Sequence, residues 1–362
     1  MIRRPLMLLA GILAALGLAA CKEDSKPAAA AAPAAQQFEW KMVTAWPKNY
    51  PGLGTAANRF AERVAAMSGG RLQIKVYAAG ELVPALEVFD AVSQGTAELG
   101  HGAAYYWKGK VPAAQFFTAV PFGLSASEMN AWLSHGGGQA LWAEAYAPFG
   151  VKPLTVGNTG MQMGGWFNKE IASLDDLKGL KIRMPGLGGE VLSRLGATTV
   201  NLPGGEVFTA LQTGAIDATD WVSPYNDLAF GLHKAAKYYY YPAWQEPQAA
   251  LELLVNQKAL DSLPDDLEAI VEEAARAANQ DMQDDYVFNN ARALEELKQQ
   301  GTELKRLPDE VLEALRQQSA LVLGELAAQS ELNGRIWASM QAFQAQVAPM
   351  HEVTEKELFN WR

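Results

Sequence analysis

The sequence predicts an α/β protein with two lobes of similar construction. Short apolar strands alternate along the chain with helical segments, an order that is typical of parallel sheets with helical connections. One pattern occurs twice, because Glu87–Gly95 and Glu206–Gly214 align without gaps, and each is a helix that ends at a glycine and precedes a short apolar stretch with an acid. The length of 362 residues also suits two domains. A chance match of two amphipathic helices is the alternative explanation of the repeat.

The first predicted lobe begins with a strand, a helix and a second strand. Glu39–Ala45 is a strand candidate, and Gly54–Met67 has the apolar spacing of a helix that stops at the turn Ser68–Gly70. Arg71–Tyr77 alternates apolar and polar residues, which predicts a half-buried strand.

The later part of the chain is richer in helices. Ser173–Asp176 has the pattern of a capping box and predicts a short helix, which the strand Leu180–Met184 follows. Three further elements are predicted: a long helix that opens at 262–265 and runs to about 300, a short strand-like stretch at 302–307, and a helix at 308–330.

Composition excludes several classes of function. With 49% hydrophobic and 19% charged residues, the chain is neither disordered nor a polytopic membrane protein. A formal net charge of −10 disfavours nucleic acid as a partner, because binding to a polyanion needs a basic surface. The single cysteine, Cys21, allows no intrachain disulfide, no thiolate zinc cluster and no Cys-x-x-Cys redox pair.

The N-terminus has the layout of an export signal. A basic start precedes the apolar run Leu6–Leu18, which is too short to cross a bilayer core of about 30 Å. Leu18–Cys21 resembles the lipobox of bacterial lipoproteins, in which the cysteine becomes the lipidated first residue. Lys22–Gln37 is rich in Ala and Pro, which is typical of a tether. These features predict a membrane-anchored periplasmic lipoprotein, and an ordinary cleaved signal with an incidental cysteine is the alternative.

Several motifs that suggest an enzyme are incomplete. His135–Gly138 is similar to an esterase oxyanion-hole sequence, but the chain contains no Gly-x-Ser-x-Gly nucleophile elbow. Gly186–Gly189 is placed as a dinucleotide-binding loop would be, yet Val191 stands where that fingerprint needs its third glycine. The four histidines have no zinc-site spacing. We therefore expect no catalytic residues, and a glycine-rich loop between helices at 135–138.

Four polar side chains remain as candidates for a ligand site. Arg183 ends a predicted strand, where α/β folds place ligands, and its guanidinium can hold a carboxylate through two parallel hydrogen bonds. Gln162 is an amide among small and apolar residues, while Asp220 and Glu246 lie close to tryptophans in the sequence. Carboxylate and amide oxygens suit a hard cation such as Na⁺ or Ca²⁺. From spacing alone, a surface or salt-bridge arginine is the favoured explanation of Arg183, and a structural amide explains Gln162 equally well.

The segments Asp176–Gly186, with its Lys-Gly-Leu-Lys-Ile-Arg-Met-Pro core, and Glu206–Trp221 resemble the solute receptors of tripartite ATP-independent periplasmic (TRAP) transporters. The resemblance extends from Phe38 to the C-terminus. It implies a periplasmic-binding-protein-like fold, with two α/β lobes joined by crossing strands and a long connecting helix, plus a C-terminal helical extension. It also implies a non-catalytic receptor that passes its ligand to a Na⁺-coupled permease, with Arg183 pairing with the ligand carboxylate.

Within that family the sequence is most similar to receptors for 2-oxo and 2-hydroxy monocarboxylates, in which acid and cation bind together. The similarity lies in the Gln-Met-Gly-Gly-Trp-Phe pattern, the acid-Trp pair and the Tyr-rich strand before Trp-x-Glu. It implies a bridging metal cation, Ca²⁺ or Na⁺, held by Gln162, Asp220, the Trp221 carbonyl and Glu246. Asp220 departs from relatives that have Glu there, which bears on the choice of cation, and the two carboxylates favour Ca²⁺.

Aromatic side chains are expected to form the walls of the cleft. Candidates for these walls are the aromatic residues of Tyr105–Trp107, Phe122 and Trp46, and Asn158 is a candidate for a further hydrogen bond to the ligand. Each aromatic is equally well explained as an ordinary core residue. A small apolar pocket favours pyruvate, lactate or a short branched 2-oxoacid over dicarboxylates and sugars.

The expected domain bounds follow from the resemblance and from the patterns together. They are a lipoprotein signal peptide at 1–20, a tether at 21–37, lobe I at 38–160 and 249–288, lobe II at 161–248 and 289–330, and a dimerisation segment at 331–362. After Asn333 the apolar residues have helical spacing up to Pro349, and a further helix follows.

This last segment could pack on its own domain. In the oxoacid-binding relatives a kinked helix is instead swapped between the subunits of a homodimer, and we expect the same arrangement here. The expected partners are thus a small organic acid, the permease subunits and a second copy of the chain. A lipoprotein that presents the acid to a sensor kinase, or a receptor for another carboxylate without metal, is the alternative.

Overall fold

The computed structural model describes residues 36–362. The predicted signal peptide, Cys21 and nearly all of the predicted tether lie outside the described residues. Within the described part, no helix combines the length and the apolar character that crossing a bilayer requires.

Within this range the strands form two sheets. The strands are β1 Phe38–Thr44, β2 Leu72–Tyr77, β3 Leu99–Gly102, β4 Val151–Asn158, β5 Gly165–Phe167, β6 Lys181–Arg183, β7 Thr198–Val200, β8 Ala218–Thr219, β9 Tyr238–Tyr241, β10 Ala250–Asn256 and β11 Glu303–Arg306. The first sheet has the order β2-β1-β3-β10-β4, and the second has the order β11-β9-β5-β8-β6-β7. We call the part of the molecule built on the first sheet lobe I and the part built on the second sheet lobe II.

Helices cover and connect the two sheets. The α-helices are α1 Leu53–Met67, α2 Val88–Ser93, α3 Ala126–His135, α4 Gly138–Tyr146, α5 Gly186–Arg194, α6 Gly204–Gln212, α7 Pro224–Phe230, α8 Gln257–Leu260, α9 Asp265–Gln299, α10 Asp309–Ala328, α11 Glu331–Val353 and α12 Glu355–Phe359. Short 3-10 turns occupy Ala85–Glu87, Ala104–Trp107, Pro112–Phe117, Ala147–Phe149, Leu174–Leu177 and Leu232–Lys234.

In each lobe a helix connects successive parallel strands, as the sequence predicted. Strands β1, β2 and β3 pair in parallel, as do β6, β7 and β8, while β4, β5, β9 and β10 contribute the antiparallel pairs. The repeated pattern also has one structure in both lobes. Helices α2 and α6 stop before Gly95 and Gly214, whose φ angles are 74° and 75°, and each leads into a parallel strand. The predicted two-lobed α/β fold is therefore confirmed.

Three stretches of chain pass between the lobes. Residues 159–164 connect β4 to β5, residues 242–249 connect β9 to β10, and the 35-residue helix α9 runs from lobe I towards the last strand of lobe II. Helix α9 packs on lobe I because Leu267, Val271, Ala274, Ala278 and Met282 recur on one buried face. The residue bounds given above for the lobes stay a prediction.

Two details differ from the sequence-based expectations. The capping box at Ser173 is present, but the short helix after it is a 3-10 turn. The C-terminal helix α11 continues through Pro349 to Val353 and does not break at the proline. Pro349 has no N–H, so the carbonyl of Ala345 lacks its helical donor, and the helix continues for one more turn beyond the proline. As predicted, residues 135–138 form the tight connection between α3 and α4.

Candidate functional site

The ends of two neighbouring parallel strands bring together the arginine and one of the acids. Strands β6 and β8 pair with Arg183 opposite Thr219, so that Asp220 and Trp221 follow directly at the carboxyl end of β8. The backbone N–H of Asp220 donates to the carbonyl of Arg183 over 2.9 Å. This is the edge of a sheet at which α/β proteins place their ligands.

Arg183 is buried in a polar frame, with an exposed fraction of 1%. Its Nη1 donates to the backbone carbonyl of Asp220 over 2.8 Å and lies 3.9 Å from the carboxylate Oδ2 of the same residue. Its Nη2 donates to the Tyr106 hydroxyl over 3.4 Å, and its guanidinium lies 5.1 Å from the centre of the Trp221 ring. Burial by itself lowers the pKa of Arg183, but the hydroxyls of Tyr106 and Tyr105 and the carboxylate of Asp220 raise it above its ordinary value. The side chain is therefore a permanent cation inside the protein.

The segments that cross between the lobes supply the remaining polar groups. Gln162, in the first crossing, donates from Nε2 to Glu246 Oε2 over 2.9 Å and to Thr159 Oγ1 over 3.1 Å. Gln245, in the second crossing, donates from Nε2 to Asp220 Oδ1 over 3.0 Å and to the carbonyl of Met163 over 2.8 Å. Both acids thus accept hydrogen bonds from the segments that cross between the lobes.

Two carboxyl groups share this buried space with one arginine. Burial raises the pKa of Asp220 to about 6, although Arg183 and the hydrogen bond from Gln245 lower it. Burial and then the charge of Asp220 raise the pKa of Glu246 above its usual range. The two acids repel each other, and a cation bound between them would remove this repulsion.

The oxygen atoms of the site fit a hard cation. Among the buried side-chain atoms without a hydrogen-bond partner are Gln162 Oε1, Asp220 Oδ2 and Gln245 Oε1. A buried oxygen without a donor is costly, and coordination of a cation satisfies it. Residues 36–362 contain no group of three or more His, Cys, Asp or Glu side chains that could hold a metal ion. Any cation site here must therefore include amide or backbone oxygens, which Na⁺ and Ca²⁺ accept and Zn²⁺ does not favour.

A cavity of about 10 Å³ lies between the lobes beside these groups. This volume holds about one water molecule, so the lobes are closed over the site. The lining residues are Trp46, Leu53, Tyr105, Tyr106, Thr159, Gln162, Trp221, Val222, Ala249 and Leu251.

The other predicted ligand contacts have different surroundings. Asn158 is buried, but its Nδ2 donates to Gln248 Oε1 over 2.7 Å and its Oδ1 accepts from the Gly160 N–H over 2.9 Å, so its amide holds the first crossing in place. Phe122 packs against Trp244, with 6.2 Å between ring centres, and it is not part of the cavity lining. Its φ of 54° lies in a tight turn. No sequence pattern around Phe122 indicates this conformation.

The sequence indicated Tyr106 only as an aromatic wall of the cleft, and it did not indicate Gln245 as a site residue. Tyr106 meets Arg183, and Gln245 holds Asp220. The only sequence signal for Gln245 is its position between Trp244 and Glu246, and Tyr106 stands beside the predicted Tyr105.

Comparison with known proteins gives the same family on three grounds. The family model described as bacterial extracellular solute-binding protein, family 7, matches residues 42–330. A monocarboxylate 2-oxoacid-binding periplasmic protein of a Nostoc species is 46% identical over 324 residues, which cover 89% of this chain and 88% of that protein.

Two crystal structures have the same fold as this chain. A TRAP periplasmic solute-binding protein of Pseudoalteromonas atlantica, with bound sodium and pyruvate, is 41% identical, with a TM-score of 0.88 over 90% of this chain and 99% of that one. A TRAP transporter solute-binding protein of Bordetella bronchiseptica, a dimer with calcium and picolinate in one site, is 36% identical, with a TM-score of 0.88 over 90% of this chain and 97% of that one. The chain therefore belongs to family 7 of the bacterial extracellular solute-binding proteins and is a periplasmic receptor of the TRAP type, not an enzyme.

Proposed function

We propose that this receptor captures a 2-oxo or 2-hydroxy monocarboxylate, such as pyruvate or lactate, together with a Ca²⁺ or Na⁺ ion, and delivers the acid to a Na⁺-coupled TRAP permease. One observation carries the proposal. A buried arginine and the unpartnered oxygens of Gln162 and Asp220 lie at the same closed cleft, so that a group for an anion and groups for a cation occur together.

The residues divide into two sets by charge. Arg183 binds the ligand carboxylate, and Tyr105 and Trp221 enclose the rest of the acid. Gln162, Asp220, the Trp221 carbonyl and Glu246 hold the cation, which offers a positive charge to the carboxylate and the adjacent 2-oxygen of the ligand. Pyruvate and picolinate, which the two crystallised relatives bind, both carry a donor atom next to the carboxylate. This shared chemistry supports chelation as the basis of selection.

Charge balance favours calcium over sodium. Arg183 offsets one of the three negative charges that two carboxylates and a bound monocarboxylate bring to the cleft. A divalent ion therefore leaves the closed site neutral, whereas Na⁺ leaves one buried negative charge. Burial of an unpaired charge is strongly unfavourable.

The apolar side chains that line the cleft also bear on which acids bind. Tyr105, Trp221 and Leu251 line the cavity beside the polar groups. A second carboxylate, as in succinate, would meet these side chains without a cationic partner. We therefore expect monocarboxylates to bind and dicarboxylates to be rejected.

Two further features complete the proposal. Cys21 is lipidated and anchors the mature receptor to the periplasmic side of a membrane through the Ala- and Pro-rich tether.

The receptor forms a homodimer through its C-terminal helices, because several large apolar side chains there are exposed, among them Val353 at 72% and Trp361 at 82%. A partner subunit that covers these side chains removes them from water.

Calorimetric titration of the refolded, metal-stripped receptor tests the ligand class. Refolding removes acid carried through purification. We expect pyruvate to bind with micromolar or tighter affinity, about −8 kcal/mol or better, when Ca²⁺ or Na⁺ is present, and succinate to release no heat. Binding of succinate at the same affinity, or no binding of pyruvate with either cation, would overturn the proposal.

A further inference from the structure

A network of hydrogen bonds outside the ligand site joins the two lobes. Tyr50 lies in the loop between β1 and α1 of lobe I, and Asn226 lies on α7 of lobe II. The Tyr50 hydroxyl donates to the backbone carbonyl of Asn226 over 2.6 Å and accepts from the indole N–H of Trp221 over 3.0 Å. The Asn226 amide donates to the carbonyl of Pro51 over 2.7 Å. These groups satisfy one another only when the lobes meet.

The long helix takes part in the same network. The hydroxyl of Tyr286, on α9, donates to Asn226 Oδ1. The Tyr286 ring lies against Gly52, where a side chain is impossible because a Cβ atom would come within 2.4 Å of the ring and the φ angle is 70°. Asn226 thus contacts both the entry loop of lobe I and the helix that connects the lobes.

Asp227, the residue after Asn226, anchors helix α7 to lobe II through hydrogen bonds. Asp227 accepts at Oδ2 from the indole of Trp166 over 2.9 Å and from the hydroxyl of Tyr239 over 2.6 Å. Trp166 and Tyr239 lie in the second sheet and stack with 4.0 Å between ring centres. Successive residues on a helix point in different directions, so α7 faces the core of its own lobe with Asp227 and the opposite lobe with Asn226.

The network is buried and ends at the ligand site. Tyr50, Asn226 and Tyr286 have exposed fractions of 6%, 0% and 0%. Trp221 belongs to both regions, because its N–H meets Tyr50 and its ring faces the guanidinium of Arg183. The residues that bear the network's hydroxyls and amide, Tyr50, Asn226 and Tyr286, do not line the cavity.

We propose that Tyr50, Asn226 and Tyr286 form an interlobe latch that sets how long the receptor holds its ligand, although none of them contacts the ligand. The inference rests on the proposed function for its ligand. The latch forms only when the cleft closes, so it stabilises the bound, closed state and leaves the encounter with the ligand unaffected. Its residues are positioning residues that act through Trp221 and through closure.

Removal of single hydroxyl groups tests the latch without removing a ring. Tyr50→Phe and Tyr286→Phe keep the packing of both aromatic rings and delete only their hydrogen bonds. We expect each to raise the dissociation rate of pyruvate in the presence of Ca²⁺ about 3- to 10-fold, with the association rate within about twofold of the unsubstituted chain. Tyr238→Phe is the matched control, because within residues 36–362 the Tyr238 hydroxyl has a hydrogen bond only from the exposed Lys237 ammonium, over 3.3 Å. Unchanged dissociation rates in both latch variants would overturn the proposal, as would an equal increase in the control.

A second measurement separates the latch from the identity of the ligand. Nitroxide labels at Ala66 and Ser193, exposed helix positions on lobes I and II, report the distance between the lobes in a full-length Cys21→Ser chain. We expect Tyr50→Phe and Tyr286→Phe to shift ligand-free protein towards the longer distances of the open form. Failure of pyruvate to bind the unsubstituted chain would overturn the proposed ligand only. Distance distributions identical to those of the unsubstituted chain would overturn the latch.

Discussion

Arg183 combines full burial with a hydrogen-bonded frame that fixes its guanidinium. Its Nη1 and Nε donate to the carbonyls of Asp220 and Leu202, at 2.8 Å and 3.3 Å. These bonds orient the plane of the guanidinium, and orientation matters because a carboxylate is bound best by two parallel N–H groups. A lysine has the same charge and lacks this geometry.

We therefore predict that Arg183→Lys weakens pyruvate binding by at least about 100-fold, because one buried charge-assisted hydrogen bond and the fixed geometry are lost. Calorimetric titration measures the change, and a thermal unfolding curve confirms that the variant is folded. The exposed Arg276→Lys serves as control. An affinity within threefold of the unsubstituted receptor would show that Arg183 is not the anion-binding group.

Residue patterns predicted part of the site and missed the rest for physical reasons. Arg183 and Asp220 could be predicted as candidates from the sequence because strand ends in α/β folds place side chains at one edge of the sheet. Gln245 was not, because its role depends on how the second crossing passes Asp220. Phe122 faces Trp244 because of its positive φ, which a phenylalanine rarely adopts and no composition signal announces.

At the scale of elements, the start of helix α6 packs against the ligand site. Gly204 is buried, and a Cβ atom on it would come within 2.3 Å of the Trp221 ring, whereas a Cβ atom on the adjacent Gly205 would meet nothing within 4 Å. The helix approaches the indole closely because the first residue has no side chain. Trp221 in turn meets both Tyr50 and Arg183.

We predict that Gly204→Ala displaces Trp221 and lowers pyruvate affinity by about tenfold or more, since overpacking of a buried contact costs about 1–3 kcal/mol. Gly205→Ala should leave the affinity unchanged and raise the free energy of unfolding by up to about 1 kcal/mol through helix propensity. Titration and denaturant unfolding of the pair measure both effects. Equal affinities for the two variants would contradict this role of the helix start.

Strand β10 carries a buried carboxyl group away from the ligand site. Glu252 is fully buried, and it accepts hydrogen bonds from the Trp107 indole over 2.6 Å and the Tyr146 hydroxyl over 2.8 Å. Burial raises its pKa to about 8, although both hydrogen bonds lower it. The folded protein therefore keeps this proton at a pH where the unfolded chain has released it.

We predict that this group destabilises the protein progressively as the pH rises. Because the pKa of Glu252 is higher in the folded protein than in the unfolded chain, the contribution of this group to stability is largest below about pH 4. The free energy of unfolding then falls between about pH 4 and pH 8, by no more than about 1.4 kcal/mol per pH unit. The free energy of unfolding of Glu252→Gln, measured relative to the unsubstituted protein at the same pH, should thus be higher at pH 8 than at pH 5 by about 2–4 kcal/mol. Denaturant unfolding at both pH values measures it, with the exposed Glu310→Gln as control. The same pH dependence in all three proteins would refute the role of Glu252.

The repeated helix-glycine-strand pattern shows how far the fold could be inferred from sequence. Its two copies predicted two lobes, because the glycine ends the helix and the next strand must return to the sheet. The end of α11 was not predictable in the same way. Pro349 is a signal of helix termination, but a proline can kink a helix without ending it, and this helix continues to Val353.

At the scale of the whole molecule, the C-terminal segment extends beyond the two lobes. Helix α11 packs on α3, α4 and α10, but α12 contacts little besides α11, and Met350, Phe359 and Trp361 are largely exposed. An apolar surface of this kind is typical of a contact with another protein. In the proposed homodimer the partner subunit covers it.

We predict that removal of residues 350–362 converts a dimeric receptor into a monomer that still binds pyruvate, because the ligand cleft lies between the lobes of one chain. Sedimentation velocity at micromolar concentration measures the association state, and titration measures binding. A full-length chain that sediments as a monomer, or a truncated chain that remains a dimer, would contradict the assignment of the interface.

The proposed function requires that anion and cation bind as one unit in the closed cleft. Its most direct test is the linkage between them: the pyruvate affinity of metal-stripped receptor measured across a range of Ca²⁺ concentrations, with the same series for Asp220→Asn. Reciprocal coupling requires that log affinity rise with log Ca²⁺ with a slope close to one below saturation, and that the slope fall towards zero when Asp220 loses its charge. A pyruvate affinity that is high and independent of every added cation would show that the acid binds without a cation and would contradict the proposed function.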